Sequence, residues 1–205
     1  MGVRLAAEGA AALSGYLDAM LAENAHINLT AIRDPGQARV LHALDSLAIG
    51  KLGLDEPGRV FDLGTGNGFP GVAVHALWPA AEVVLCDRTQ KKAEAIKRIL
   101  AAAGWPARVQ ALGVDAAQIP GLQPDWRGVF DVVTARAVGE PAAIAAMARP
   151  LLGPGGLLVL WLDADAELPE TGKGAPKGFN SLGATRYELP EPARRVRQLW
   201  VLRRS

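Results

Sequence analysis

The stretch from Val60 to Gly71 combines residue types that could form a ligand site. A short apolar run enters a loop with glycines at positions 64, 66 and 68, and Pro70 then opens a helical run. A strand, a glycine-rich turn and a helix begin the nucleotide crevice of doubly wound α/β domains. Glycines permit positive φ and leave no Cβ between the backbone and a ligand. We therefore predict a nucleotide-type ligand at this turn.

Two carboxylates indicate which ligand it is. Asp62 ends the predicted strand, where a buried carboxylate would repel a diphosphate and suit a cation or an amino group. Pro70 removes an N–H group that phosphates use at a helix N-terminus. Asp87 ends the next apolar run, roughly 20 residues after Gly64, as expected of a carboxylate that accepts from ribose hydroxyls. The pattern favours S-adenosylmethionine; a tight turn with a helix-capping Asp62 is the alternative.

Composition narrows the class of protein. The 205 residues are 50% hydrophobic with a net charge of +1, which indicates one packed domain with a small extension and neither demands nor excludes an RNA partner. Cys86 is the only cysteine, so disulfides within the chain and multi-cysteine metal sites are excluded, and we expect a buried thiol. No apolar run reaches transmembrane length and the N-terminus lacks a signal-peptide pattern. We expect no bound metal and a monomeric enzyme in the cytoplasm.

The elements that must position these residues alternate regularly. Apolar runs separated by helical runs predict a parallel, doubly wound sheet. Two final β-like runs, 183–189 and 196–202, have no helix between them and predict an antiparallel hairpin at the sheet edge. We expect an N-terminal helical extension over residues 1–57 and a sheet domain over 58–205. The other predicted strands are 60–63, 82–86, 108–112, 129–134 and 157–162, and the predicted helices are 3–24 (one or two), 36–51, 72–78, 90–103 and 141–152.

Polar residues outside the glycine loop add candidates. Thr30 or Asp34 could cap the helix that follows Pro35. In that helix His42 and Ser46 are four residues apart and share a face, which alone indicates no more than a hydrogen-bonded surface pair. Arg136 follows the fourth predicted strand and is either a surface arginine or a residue that lines the crevice.

Four segments occur in an order typical of one family. The chain resembles the RsmG/GidB family of bacterial 16S rRNA (guanine-N7) methyltransferases over roughly residues 27–160. The fold implied is the Rossmann-like fold of class I S-adenosylmethionine-dependent methyltransferases, with a seven-stranded, mostly parallel sheet. Where the family usually has Lys-Gly after the fifth strand, this chain has Trp161-Leu162-Asp163. The segments are Asn28-Leu29-Thr30-Ala31-Ile32-Arg33-Asp34, His42-x-x-Asp45-Ser46, Asp62-Leu63-Gly64-Thr65-Gly66-x-Gly68-Phe69-Pro70-Gly71 and Thr134-Ala135-Arg136-Ala137.

The resemblance implies roles for named residues. It implies that Gly64 and Phe69 contact S-adenosylmethionine, with Gly66 in the same loop, and that Val114 and Asp115 flank its adenine. It also implies that Arg136 lines the crevice. We expect Asp62 and Asp87 at the cofactor as argued above, Arg136 to position the methionine carboxylate, the guanine or a phosphate, and His42 to position RNA or substrate without acting as a general base.

The implied substrate makes a modest chemical demand. Guanine N7 presents a lone pair without a proton, so its methylation needs positioning and electrostatics and no general base. The partner would be 16S rRNA or the small ribosomal subunit, in a single-stranded or looped region. Alternatives are a methyltransferase of this fold acting on a small molecule or protein, and a non-catalytic rRNA-binding or assembly factor. The basic residues that could contact phosphate are Arg33, Arg39, Lys91, Lys92, Lys173, Lys177 and the terminal arginines 194, 195, 197, 203 and 204.

Overall fold

Within the described residues, 2–168 and 174–205 of a computed structural model, seven strands form one sheet. The candidate Lys173 lies outside these residues. The strands are β1 Arg59–Leu63, β2 Glu82–Asp87, β3 Val109–Gly113, β4 Phe130–Arg136, β5 Leu152–Asp163, β6 Phe179–Glu188 and β7 Val196–Arg204. Their order is β3-β2-β1-β4-β5-β7-β6, with β1 to β5 parallel and β7 antiparallel to both β5 and β6. The predicted parallel sheet with an antiparallel hairpin at its edge is confirmed.

The helices lie on both faces of this sheet. They are α1 Ala7–Glu23, α2 Pro35–Ala38, α3 Asp45–Leu47, α4 Gly71–Leu77, α5 Gln90–Ala102, α6 Ile119–Leu122 and α7 Pro141–Ala148. The single helix predicted over 36–51 is a composite, because a π-helix joins α2 to α3 and a 3-10 segment follows. Asp34 caps α2 by accepting from the Gln37 amide at 2.7 Å. None of the described helices is long and apolar enough to cross a membrane.

The N-terminal helix packs directly on the sheet domain. Leu13 and Leu17 of α1 share one hydrophobic cluster with Val72 of α4 and Ile96 of α5. A second cluster, around Phe61, covers the opposite face of the sheet beneath α7. Burial on both faces explains why the central strands read as almost continuous apolar runs. The boundary at residue 57 stays a prediction.

The start of β5 differs from the prediction. Helix α7 ends at Ala148 instead of residue 152, and β5 begins at Leu152 instead of 157. The reason lies in glycines that were assigned to a loop. A Cβ on Gly153 would lie 3.1 Å from the Gly128 carbonyl oxygen, and one on Gly156 would lie 3.1 Å from that of Phe130. Pairing with β4 is interrupted at these glycines: Phe130 pairs with Leu152 and Val132 with Leu157, so residues 153–156 form a bulge within β5.

Candidate functional site

A cavity of about 650 Å³ opens at the carboxyl ends of the central strands. The residues that follow β1, β2, β3 and β4 all contribute to its lining. Chain order reverses between β1 and β4, and open parallel sheets bind ligands at such a switch point. The volume lies within the range of roughly 300–1,000 Å³ typical of small-molecule and cofactor sites.

The glycine loop forms one wall of this cavity. Gly64 and Gly66 both have positive φ, 71° and 60°, and both line the cavity, as does Phe69. A Cβ on Gly64 would lie 2.7 Å from the Val138 side chain. A larger residue would therefore be strained and would close the space between this loop and the segment after β4.

Asp62 lies beneath the loop and does not line the cavity. Its side chain is fully buried: Oδ2 accepts from the Gly71 amide at 2.9 Å and Oδ1 accepts from the Thr134 hydroxyl at 2.7 Å. Burial raises the pKa of this carboxyl to about 6, and the hydrogen bonds from Thr134 and Gly71 oppose that rise. Asp62 is thus outside the cavity lining, and its role toward the cofactor stays a prediction. Its carboxylate holds the loop, β4 and the start of α4 together, which is the helix-capping alternative.

Asp87 does line the cavity. Its Oδ2 accepts from the Gly66 amide at 3.0 Å, and Oδ1 accepts from the Thr89 amide at 2.8 Å. Each carboxylate oxygen has two lone pairs, so both can still accept from a hydroxyl on a ligand. Asp87 thereby joins the glycine loop to the end of β2, and its role toward a ribose stays a prediction.

The wall beyond β3 contains the next two predicted residues. Val114 and Asp115 both line the cavity, and Asp115 Oδ1 accepts from the Ala117 amide at 3.0 Å. Cys86 is 1% exposed and its thiol donates to the Val114 carbonyl at 3.2 Å. Burial raises the pKa of this thiol to about 12, so it stays protonated. The expectation of a buried thiol is confirmed.

Arg136 lines the cavity and is bound from the N-terminal segment. Its Nη1 lies 3.0 Å from Asp45 Oδ2, 3.1 Å from Ser46 Oγ and 3.1 Å from the Leu41 carbonyl oxygen. The side chain is 11% exposed, so the alternative of a surface arginine is wrong. Three acceptors on one nitrogen fix the direction of the guanidinium group, whose contact with a ligand stays a prediction.

His42 lines the cavity from the N-terminal segment, beside Phe69 of the glycine loop. Its Nε2 lies 3.0 Å from Thr30 Oγ1, and its ring stacks on Phe69 with the centroids 5.8 Å apart. The Ser46 hydroxyl donates to the His42 carbonyl at 2.5 Å, not to the imidazole, and both residues are buried. The interpretation as a surface pair is therefore wrong. Burial, reinforced by the charge of Arg136, lowers the pKa of His42 to about 4.

Sequence reasoning did not single out Asp45 as the centre of a buried network. Its carboxylate accepts from the Tyr187 hydroxyl at 2.6 Å and from Arg136, and Arg197 Nε lies 3.9 Å away. Its backbone oxygen accepts from Trp161 Nε1 at 2.9 Å. Trp161, the first residue of the Trp161-Leu162-Asp163 stretch, is thus a buried residue. A carboxylate in an apolar helix pattern was the one available signal.

Basic residues of the C-terminal hairpin complete the lining. Arg195 and Arg197 line the cavity together with Arg88 and Lys92. Arg197 also pairs with Asp163 at 3.3 Å. Among the basic candidates predicted from the sequence, the structure brings Lys92, Arg195 and Arg197 to the cavity. It does not bring Arg33 or Arg39 into its lining.

Comparison with known proteins agrees with this geometry. The sequence model of the family described as rRNA small subunit methyltransferase G matches residues 10–177. The chain is 34% identical over 189 residues to a "Ribosomal RNA small subunit methyltransferase G" of Anaeromyxobacter sp. (strain Fw109-5), covering 91% of this chain and 85% of that relative. A protein of the same name from Leptothrix cholodnii is 35% identical over 174 residues, covering 83% and 75%.

A solved structure shows the same fold. Cofactor-bound Rv0187 from MTB superposes with a TM-score of 0.61 at 21% identity, covering 92% of this chain and 88% of that one. At that identity the likeness concerns the fold alone.

Proposed function

The chain belongs to the rRNA small subunit methyltransferase G family, and from that premise we propose that it transfers a methyl group from S-adenosylmethionine to N7 of a guanine in 16S rRNA. One observation carries the proposal: a single cavity joins a glycine loop with carboxylates to a wall that bears arginines. The two walls suit the two reactants, a cationic cofactor with ribose hydroxyls and a polyanionic RNA.

The residues of the first wall fit S-adenosylmethionine. Asp87 retains lone pairs for ribose hydroxyls, and the positive φ of Gly64 and Gly66 brings bare backbone to the ligand. Val114 and Asp115 line the same cavity, and the resemblance implies that they flank the adenine. The cofactor supplies an electrophilic methyl group on a sulfonium, and the protein's part is to hold it next to the base.

The second wall fits the role of presenting the base. His42 is uncharged near neutral pH because its pKa is lowered to about 4, so it can donate or accept a hydrogen bond without adding charge. Arg136, fixed by Asp45, offers a cation at the end of β4. Since N7 has no proton to lose, positioning by these groups suffices and no general base is required.

The proposed function also includes an oligomeric state, a location and a set of RNA contacts. We infer that the protein acts as a monomer in the cytoplasm, where small ribosomal subunits assemble. Arg88, Lys92, Arg195 and Arg197 surround the cavity and would contact the phosphates of a single-stranded or looped region.

The test uses purified protein, S-adenosylmethionine labelled in its methyl group, and 16S rRNA that lacks N7-methylguanine. The RNA is offered free, in assembly intermediates and in complete small subunits. We expect incorporation into at least one form, at a single guanine identified by mass mapping as N7-methylated. Label on another atom would refute the N7 assignment, and no label in any form would refute the proposal. A His42→Gln, Arg136→Gln protein serves as the low-activity control.

A further inference from the structure

We propose that helix α1 positions both walls of the cavity, through Tyr16 at the glycine loop and Asn24 at the segment that carries Thr30, the partner of His42. Neither residue lines the cavity, so both would be positioning residues. The assignment of the walls to cofactor and RNA rests on the proposed function. The contacts of α1 with the two walls are independent of that function.

Tyr16 supports the glycine loop from below. The side chain is fully buried, and its hydroxyl donates to the Asn67 carbonyl at 3.0 Å across 51 residues of sequence. Its ring meets Phe69 edge to face at 5.6 Å and Trp105 at 5.6 Å. Asn67 and Phe69 both line the cavity. One side chain of α1 therefore sets the position of the loop on both sides of Gly68.

The loop and Tyr16 are closely fitted. Gly68 has a φ of +94°, and a Cβ there would lie 2.0 Å from the Tyr16 hydroxyl oxygen. The absence of a side chain at residue 68 is thus what lets the hydroxyl reach the Asn67 carbonyl. Burial raises the pKa of this phenol, and the charge of Asp62 raises it further. The hydroxyl therefore stays protonated at neutral pH and can donate.

Asn24, at the C-terminal end of the same helix, holds the segment that contains Leu29 and Thr30. Its Oδ1 accepts from the amides of Leu29 at 2.8 Å and Thr30 at 2.9 Å, and its Nδ2 donates to the Thr30 carbonyl at 3.0 Å. Leu29 and Thr30 line the cavity, and the Thr30 hydroxyl is the partner of His42 Nε2. A single amide group therefore determines the path of this segment and, through Thr30, the position of the imidazole.

Helix α1 is anchored well enough to serve both contacts. Leu13, Leu17 and Met20 are each no more than 4% exposed and belong to the main hydrophobic cluster. With this face buried, the distance between Tyr16 and Asn24 is set by the helix itself. The two walls are consequently held in register by one rigid element that the proposed chemistry does not touch.

The experiment compares Tyr16→Phe, Asn24→Ala and the control Leu202→Ala with the wild type; Leu202 of β7 is fully buried in the second cluster and does not line the cavity. Tyr16→Phe removes one hydroxyl, and we expect the Kd for S-adenosylmethionine to rise about tenfold, as for one lost hydrogen bond, with an unchanged KM for RNA. For Asn24→Ala we expect the reverse: an unchanged Kd for the cofactor and a kcat/KM for RNA lowered about tenfold. Leu202→Ala should lower the unfolding temperature and leave the Kd for the cofactor unchanged.

Two further measurements separate positioning from general destabilisation. Asn24→Asp keeps an acceptor for the two amides but sets a carboxylate oxygen against the Thr30 carbonyl in place of the donor, so it should recover only part of the RNA kcat/KM lost in Asn24→Ala. Hydrogen exchange without cofactor should show faster exchange at residues 65–69 in Tyr16→Phe and at residues 28–31 in Asn24→Ala, with neither change in Leu202→Ala.

The outcomes are decisive. Equal effects of Tyr16→Phe and Asn24→Ala on both ligands, no effect of either, or exchange changes shared by Leu202→Ala would overturn the inference. A wild-type protein that does not bind S-adenosylmethionine would refute the proposed function instead, and the exchange pattern would still decide the role of α1.

Discussion

His42 shows how a buried contact sets the state of a single side chain. Its imidazole lies between Thr30 and the ring of Phe69, and Arg136 lies close enough to disfavour a second positive charge. The folded protein therefore holds His42 in its neutral form, which suits a group that orients a base. The same preference makes part of the folding free energy depend on pH.

The stability that His42 contributes should be lost in acid. Its pKa is 6.5 when unfolded and about 4 when folded, so the unfolded chain binds more protons between these values. This contribution is complete above pH 6.5 and declines as the pH falls through 6.5 towards 4. Between pH 7 and pH 4 the wild type should lose on the order of 3 kcal/mol more unfolding free energy than His42→Gln.

Urea denaturation at both pH values checks this difference. Asp62, whose pKa is raised to about 6, acts in the opposite direction, but it is present in both proteins and cancels. Parallel loss of stability in the two proteins would show that His42 is not held neutral.

At the scale of elements, α5 carries basic residues towards the cavity. Lys92 lines the cavity and Lys91 precedes it on the exposed surface of the helix. Farther along the same helix, Lys97 is bound to Glu94 at 2.7 Å. The start of α5 is therefore the part suited to contact an RNA backbone.

Replacing Lys91 and Lys92 together by Ala should flatten the salt dependence of RNA binding. Each lost phosphate contact reduces the magnitude of the negative slope of log K against log[salt] by about one. We therefore expect that magnitude to decrease by about one to two. The affinity for S-adenosylmethionine should not change. Filter binding over a range of salt concentrations measures the slope, and Lys97→Ala is the matched control. A slope equal to that of Lys97→Ala would remove the start of α5 from the RNA footprint.

At the scale of the whole molecule, the stabilisation produced by each ligand distinguishes a methyl donor from a dinucleotide. Ligands that bind only the folded state stabilise it, by about 2.7 kcal/mol at a concentration of 100 Kd. For a chain of 205 residues this corresponds to a rise in Tm of roughly 5–10 °C. We expect that rise with S-adenosylmethionine and none with NAD⁺ at the same concentration, measured by calorimetry. The converse result would replace the methyl donor by a dinucleotide.

Local sequence determined the order and type of the main elements and the position of the crevice. Alternating apolar and helical runs, and the glycines at 64, 66 and 68, act over a few residues and were therefore readable without a structure. The same holds for Asp87 at the end of β2, whereas Val114 and Asp115 were implied by the family resemblance; all three line the cavity.

Only the tertiary structure decided which polar groups line the cavity and which lie beneath it. Asp62 lies beside the loop in sequence but bonds Thr134 and Gly71 below it. Tyr16 and Asn67 are 51 residues apart, and Tyr187 and Asp45 are 142 apart. No local pattern records such contacts, because packing of distant segments determines them. The order of the strands thus determined where the cavity lies, and long-range packing determined which residues line it and which support them.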